Sequence, residues 1–250
     1  MHDAWAPVEA ALDRAAASGR VVEFWLRDDD AVTTTHALER LTLPAREVAL
    51  PVLLAVIPDG ADRHLAKFVA AEPLLTPTQH GVAHTNHATP PQRACELDGH
   101  RPRAAVLGDL ARGRDRLAGL FGRRMTDILV PPWNRIAPDL LPHLPALGFG
   151  ALSTFGEAHA GTPGLDIVNC TLDIIDWRNG RVCHPEDKLV RRLADGIDAS
   201  GAVGLLTHHL VHDEAAWLFL RRAFASLEGR SHVRFVSADQ LRARSTQPPL

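Results

Sequence analysis

The sequence predicts an α/β chain, a (β/α) barrel built on short parallel strands. Three observations predict it. Seven or eight brief apolar runs alternate with stretches of helical spacing along 250 residues, which is the pattern of βα units. The runs are continuous rather than alternating, as strands buried on both faces should be. No Gly-rich turn follows the first run, which counts against a dinucleotide-binding sheet, and the length matches the roughly 250 residues typical of a barrel.

Residues 21–26 form the first run and end in Arg27-Asp28-Asp29-Asp30. Residues 49–57 form the second, closed by the turn signal Pro58-Asp59-Gly60. Helical spacing over 61–71 precedes a third run, 74–79, which stops at His80. Residues 104–121 read as an amphipathic helix closed by Gly122. The run 128–130 leads into Pro131-Pro132-Trp133, and 138–147 reads as a helix ending at Gly148. Strands are expected at 149–154, 167–175, 203–207 and 233–236, with helices at 185–199 and 214–227. No internal repeat or low-complexity linker interrupts the pattern. A single domain is expected, with its core over 21–241 and a frayed tail over 244–250.

Composition narrows the function. Hydrophobic residues at 46% and charged residues at 23% fit a packed core. A net charge of -3 leaves no basic surplus to offset phosphates, so nucleic acid is not an expected partner. Cys95, Cys170 and Cys183 have neither disulfide nor zinc-site spacing. The start Met1-His2-Asp3-Ala4-Trp5 is not that of a signal peptide, and no apolar run reaches the length of a membrane span. A cytoplasmic location without a membrane partner is the expectation.

The polar clusters fall where the apolar runs stop. Asp28-Asp29-Asp30 follows the first run and His80 the third, with His84 and His87 close behind; Trp133-Asn134-Arg135, Asp176-Trp177 and His208-His209 follow later runs. In a barrel these are the C-terminal strand ends, where active sites are built. His80 and His84 stand at i,i+4, which on a helix would place both imidazoles on one face, able to grip one metal. With 14 histidines chance alone gives roughly one such pair, so convergence carries more weight than spacing. Three adjacent Asp are no comfortable strand. A solvated turn or helix cap would explain them; so would one carboxylate binding a divalent ion while its neighbour works as a base. His208 at a buried strand end could titrate near neutrality and act as an acid. Asp176 and Trp177 could orient and shield it, and Arg135 could orient a carboxylate.

These residues resemble the polysaccharide deacetylase family, the NodB-homology domain of carbohydrate esterases, whose five motifs come in a fixed order. Arg27-Asp28-Asp29-Asp30-Ala31 stands for Thr-Phe-Asp-Asp-Gly, and His80-Gly81-Val82-Ala83-His84 for His-Ser/Thr-x-x-His. Val130-Pro131-Pro132-Trp133 stands for Arg-x-Pro-Tyr, Asp176-Trp177 for the fourth motif, and Leu205-Leu206-Thr207-His208 for Leu-x-x-His. The resemblance implies a distorted (β/α) barrel with about seven parallel strands and a metal-dependent deacetylase acting on an amino sugar or related carbohydrate. It implies Asp30, His80 and His84 as ligands of zinc, or of cobalt or nickel. Asp29 would be the base and His208 the acid. The Trp133 N–H would help hold the oxyanion, Leu205 would line the acetyl pocket, and Asp176 and Trp177 would support His208. The register of the acid run leaves Asp28 and Asp29 as the alternative pair. Gly81 replaces a hydroxyl, Val130 an Arg, and Trp133 a Tyr. Three rival readings are a catalytically silent barrel that binds metal or glycan, an amidohydrolase acting on a small non-sugar amide, and a scaffold barrel that holds no metal.

Overall fold

The computed structural model describes residues 4–156, 162–199 and 201–245. The chain opens with helix α1 (Ala6–Ala17), begun at a proline whose missing N–H is not needed there. Strand β1 (Val22–Ala31) follows, then α2 (His36–Glu47), where the Thr35 side chain accepts the Leu38 N–H at 3.1 Å. Next come β2 (Val52–Val56), α3 (Arg63–Ala71) and β3 (Leu75–His80). Helix α4 (Arg103–Phe121) leads to β4 (Ile128–Val130), β5 (Ala151–Leu152) and β6 (Asp166–Ile167). The remainder is β7 (Leu172–Asp173), β8 (Ile175–Asp176), β9 (Val182–Cys183), α5 (Glu186–Asp198), β10 (Val203–Thr207), α6 (Glu214–Leu227), β11 (Val233–Phe235) and α7 (Ala238–Ser245).

Four local expectations change. Apolar periodicity passes over α1, whose buried face of Val8, Ala11, Leu12 and Ala15 is half alanine, and over α2, which carries Pro44 inside. The helix expected at 138–147 is two 3₁₀ turns, Pro138–His143 and Pro145–Leu147, because Pro142 and Pro145 cannot donate to an α ladder. The strand expected at 167–175 is broken into β6, β7 and β8. At the break the Asn169 carbonyl takes the Thr154 N–H and hydroxyl, at 2.8 and 2.9 Å, a side-chain alternative to ladder pairing. Residues 81–84 are not helical, so His80 and His84 do not share a helix face.

The chain divides into two compact units. The first comprises Met1–Asp28, Thr35–Val52 and Cys170–Ser237. Its strands run parallel in the order β7–β10–β1, with β11 also paired to β1. The register sets Leu26 against Leu205 and Asp28 against Thr207. β8 and β9 form an antiparallel pair. Helix α5 packs on α1, β7 and β10, and its Leu189, Val190, Leu193 and Ile197 are all buried; each such side chain contributes roughly 1.5–3 kcal/mol.

The second unit comprises Asp29–Thr34, Leu53–Asn169 and Ala238–Leu250. Its strands follow the order β2–β3–β4–β5–β6, with parallel pairing from β3 through β6. The end of β1 enters this unit, where the Ala31 carbonyl accepts the Ile57 N–H at 2.9 Å. Val106 and Leu110 of α4 pack with Leu97, Leu129 and Phe149 in its core. Helix α7 ties into the same unit: Arg242 bonds Asp166 at 2.8 Å and also Asp127, and Asp239 accepts the Thr126 hydroxyl at 2.7 Å. The tail expected to fray from 244 thus begins inside a helix, and residues 246–250 lie outside the described residues. Among the described residues no helix is long and apolar enough to cross a membrane.

Candidate metal centre

In the second unit, the end of β1, the end of β3 and the loop after β3 bring three expected ligands together. Asp30 Oδ1 lies 3.2 Å from His80 Nε2 and 3.3 Å from His84 Nε2. The three donor atoms all fall within 4.8 Å of one another, the spacing of groups that share one ion. His80 Nδ1 is 2.9 Å from the Val130 carbonyl. A proton on Nδ1 donated there leaves the Nε2 lone pair for a metal, as a supporting carbonyl commonly does for ligating histidines. Burial pushes the His84 pKa down, against the pull of Asp30, which favours the neutral imidazole that metals bind. One carboxylate and two imidazoles are a fitting donor set for a divalent zinc-like cation. Asp29 is the buried residue just before Asp30.

The backbone here is strained. Among the described residues six non-glycines have positive φ, and four of them are Asp30 (73°), His84 (55°), Trp133 (55°) and Asn134 (57°). Each costs roughly 1–2 kcal/mol and persists only where its surroundings over-determine it. At Asp30 the positive φ breaks the regular pleat of β1, so its carboxylate is freed from strict alternation with Asp28. At Trp133 it helps set the ring against His84, with centroids 4.3 Å apart.

Glu96 is a residue that periodicity and motif both miss. Its buried carboxylate accepts the N–H groups of Val82, Ala83 and Thr85, at 2.9, 2.7 and 3.2 Å. Gly81, the position without its hydroxyl, has φ 54°, and a Cβ there would fall on Glu96 Oε2 and 2.5 Å from the Pro132 ring. Arg135, read from the sequence as a residue that could orient a carboxylate of the site or bind substrate, donates to the Ala94 carbonyl at 2.7 Å.

The first unit holds the other expected residues and resolves the acid run. Asp28 is fully buried in β1. Its Oδ2 accepts the Thr207 hydroxyl at 2.7 Å and the His209 N–H at 3.0 Å, and Oδ1 meets His209 Nδ1 at 2.5 Å. Burial alone would raise the Asp28 pKa, but the charge and hydrogen bond of His209, with His212 and Thr207, hold it below the ordinary carboxylate value. Asp28 is therefore committed to His209, and Asp30 is the carboxylate beside His80 and His84. His208 is buried at the end of β10, its ring edge-on to Trp177 at 4.6 Å. Trp177 is held by Asp173, which accepts its indole N–H at 2.8 Å. Asp176 accepts from Asn179 Nδ2 at 2.8 Å and pairs with His184 at 3.2 Å, so its carboxylate shapes the turn after β8. Leu205 is buried in β10. Asp28 and His209 were singled out in the sequence only within the acid run and the His208-His209 cluster, not as partners of each other, and Asp173 carried no sequence signal.

His212 in this unit predicts an acid limit. Burial pushes its pKa down to about 4 from 6.5; Asp28 and Asp213 oppose this, and His209 and His208 add to it. Because the folded pKa is the lower one, the unfolded chain takes the proton first. The contribution to stability is complete above pH 6.5 and is lost as pH falls toward 4, by up to about 3 kcal/mol. Urea unfolding of metal-free protein across that range should show the slope. His212→Phe, which keeps an edge against Trp217, should flatten it; an unchanged slope assigns the acid limit to another group.

No protein-family model and no curated protein matches the sequence. Solved structures do match. A Mycobacterium smegmatis protein described as a polysaccharide deacetylase has a TM-score of 0.68 at 19% identity, over 93% of this chain and 96% of that one. A peptidoglycan N-acetylglucosamine deacetylase has 0.59 at 14%, over 91% and 95%. A family 4 acetyl xylan esterase from Clostridium thermocellum, in complex with a cobalt ion, has 0.57 at 13%, over 90% and 93%. The likeness shows the fold, and the NodB-like α/β class expected from the sequence is borne out.

Proposed function

We propose that this chain, which shares its fold with polysaccharide deacetylases, is a metal-dependent hydrolase that removes an acetyl group from the nitrogen of an amino sugar. The observation that carries this is the meeting of Asp30, His80 and His84, with Asp30 Oδ1 3.2 Å from His80 Nε2 and 3.3 Å from His84 Nε2. The neighbouring folds named for polysaccharide, peptidoglycan and xylan support a carbohydrate substrate, and the cobalt in one of them supports a divalent ion. Held by Asp30, His80 and His84, a cation such as zinc, cobalt or nickel would polarise the acyl oxygen and acidify a water. Asp29 takes a proton from the attacking water. The Trp133 N–H donates to the oxygen that gains charge as the carbonyl carbon becomes tetrahedral. His208 gives a proton to the departing amine, with Trp177 shielding it and Asp176 fixing the turn that carries Trp177. Leu205 lines the pocket for the acetyl methyl.

The experiment measures acetate release from N-acetylated amino-sugar oligomers. Chelated protein should be inactive and should recover with zinc or cobalt. Elemental analysis should find about one metal per chain, falling sharply in His80→Ala. Full metal content in His80→Ala removes the triad. Acetate released from a small N-acyl amide but not from the oligomers moves the substrate out of the carbohydrates.

A further inference from the structure

We propose that Glu96 is a positioning residue for the metal ligands, fixing through its buried carboxylate the loop that joins His80 to His84. The inference rests on the metal reading above. Glu96 is 2% exposed, and an ionised carboxylate there needs strong partners. Three loop N–H groups provide them, as charge-assisted bonds. Their placement matters more than their number. Oε1 accepts from Ala83 and from Thr85, the two residues that flank His84, while Oε2 accepts from Val82. A non-glycine residue in left-handed backbone, as His84 is, needs to be clamped on both sides, and one oxygen does so.

Glu96 is itself held from behind. The next residue, Leu97, is buried in the core, bridges to Ile136, and accepts the Ala137 N–H at 2.8 Å. That partner segment continues from the 3₁₀ turn bearing Trp133, whose ring packs on His84. Glu96 therefore couples the ligand loop to the Trp133 turn. Gly81 leaves the space that the carboxylate fills. Among the described residues Glu96 is not in the group of Asp30, His80 and His84, so it acts on the site through the loop it holds and not as a ligand.

The test measures Zn²⁺ and Co²⁺ dissociation constants by chelator competition, and the visible absorption of the Co²⁺ form as a report on ligand geometry. The proteins are the unsubstituted chain, Glu96→Gln, Glu96→Asp and His80→Ala. Glu96→Gln turns an NH₂ toward loop N–H donors; it should weaken metal binding about 10–100-fold and shift the cobalt bands. Glu96→Asp keeps the charge and should fall between. An unchanged constant and spectrum in folded Glu96→Gln overturns the inference and leaves the metal site standing, as loss of metal in His80→Ala would confirm. If the unsubstituted chain takes up no metal, both readings fall. Should Glu96→Gln not fold, Glu96→Asp decides by the same two measurements: weaker binding with shifted bands supports the inference, and unchanged values overturn it.

Discussion

Asp29→Asn should lose about 10²–10⁴-fold in turnover while keeping its metal. The amide keeps the shape of the carboxylate but cannot take a proton at neutral pH. The proposed ligands Asp30, His80 and His84 are untouched by the change. Asp28, the neighbour most able to stand in, is already hydrogen-bonded to Thr207 and His209. Acetate release and metal content, measured on one preparation, separate the two effects. Unchanged turnover with metal present would remove Asp29 as the base, and loss of metal would make it a ligand instead.

Asp28→Asn should lower the free energy of unfolding by about 3–5 kcal/mol. The carboxylate is fully buried, as is the His209 ring it faces, and the substitution leaves the enclosed imidazole facing a neutral amide, and Thr207 and the His209 N–H without a charged acceptor. Urea unfolding of the metal-free chain measures the loss. The double variant Asp28→Asn/His209→Phe should lose less than the sum of the single changes, since the two side chains interact directly. A loss below about 1 kcal/mol in Asp28→Asn would show that the pair contributes like an exposed one.

The alternation of apolar runs and helices was legible because strands buried on both faces leave continuous stretches such as Val52–Val56 and Val203–Thr207. Asp30, His80 and His84 were legible for a related reason: each stands at, or a few residues past, the end of such a stretch. What sequence could not settle was direction. Three adjacent Asp read alike as letters, and the positive φ at Asp30 and the commitment of Asp28 to His209 tell them apart. The i,i+4 spacing of His80 and His84 suggested a helix, whereas Gly81 and His84 adopt left-handed backbone in a loop. Glu96 was hidden because its neighbours, Cys95 and the prolines and arginines around it, follow no period; only the folded backbone shows three N–H groups aimed at it. Proline placement misled at 138–147 because Leu140, Leu144 and Leu147 keep helical spacing without an α ladder beneath them.

Arg242 joins Asp127 and Asp166 from the last described helix. Protein synthesis runs from the N-terminus, so both acids emerge well before the cation that neutralises them. Until α7 is translated, the margin of the second unit carries two unanswered negative charges. That margin therefore gains its neutralising cation only once residues 238–245 have been made.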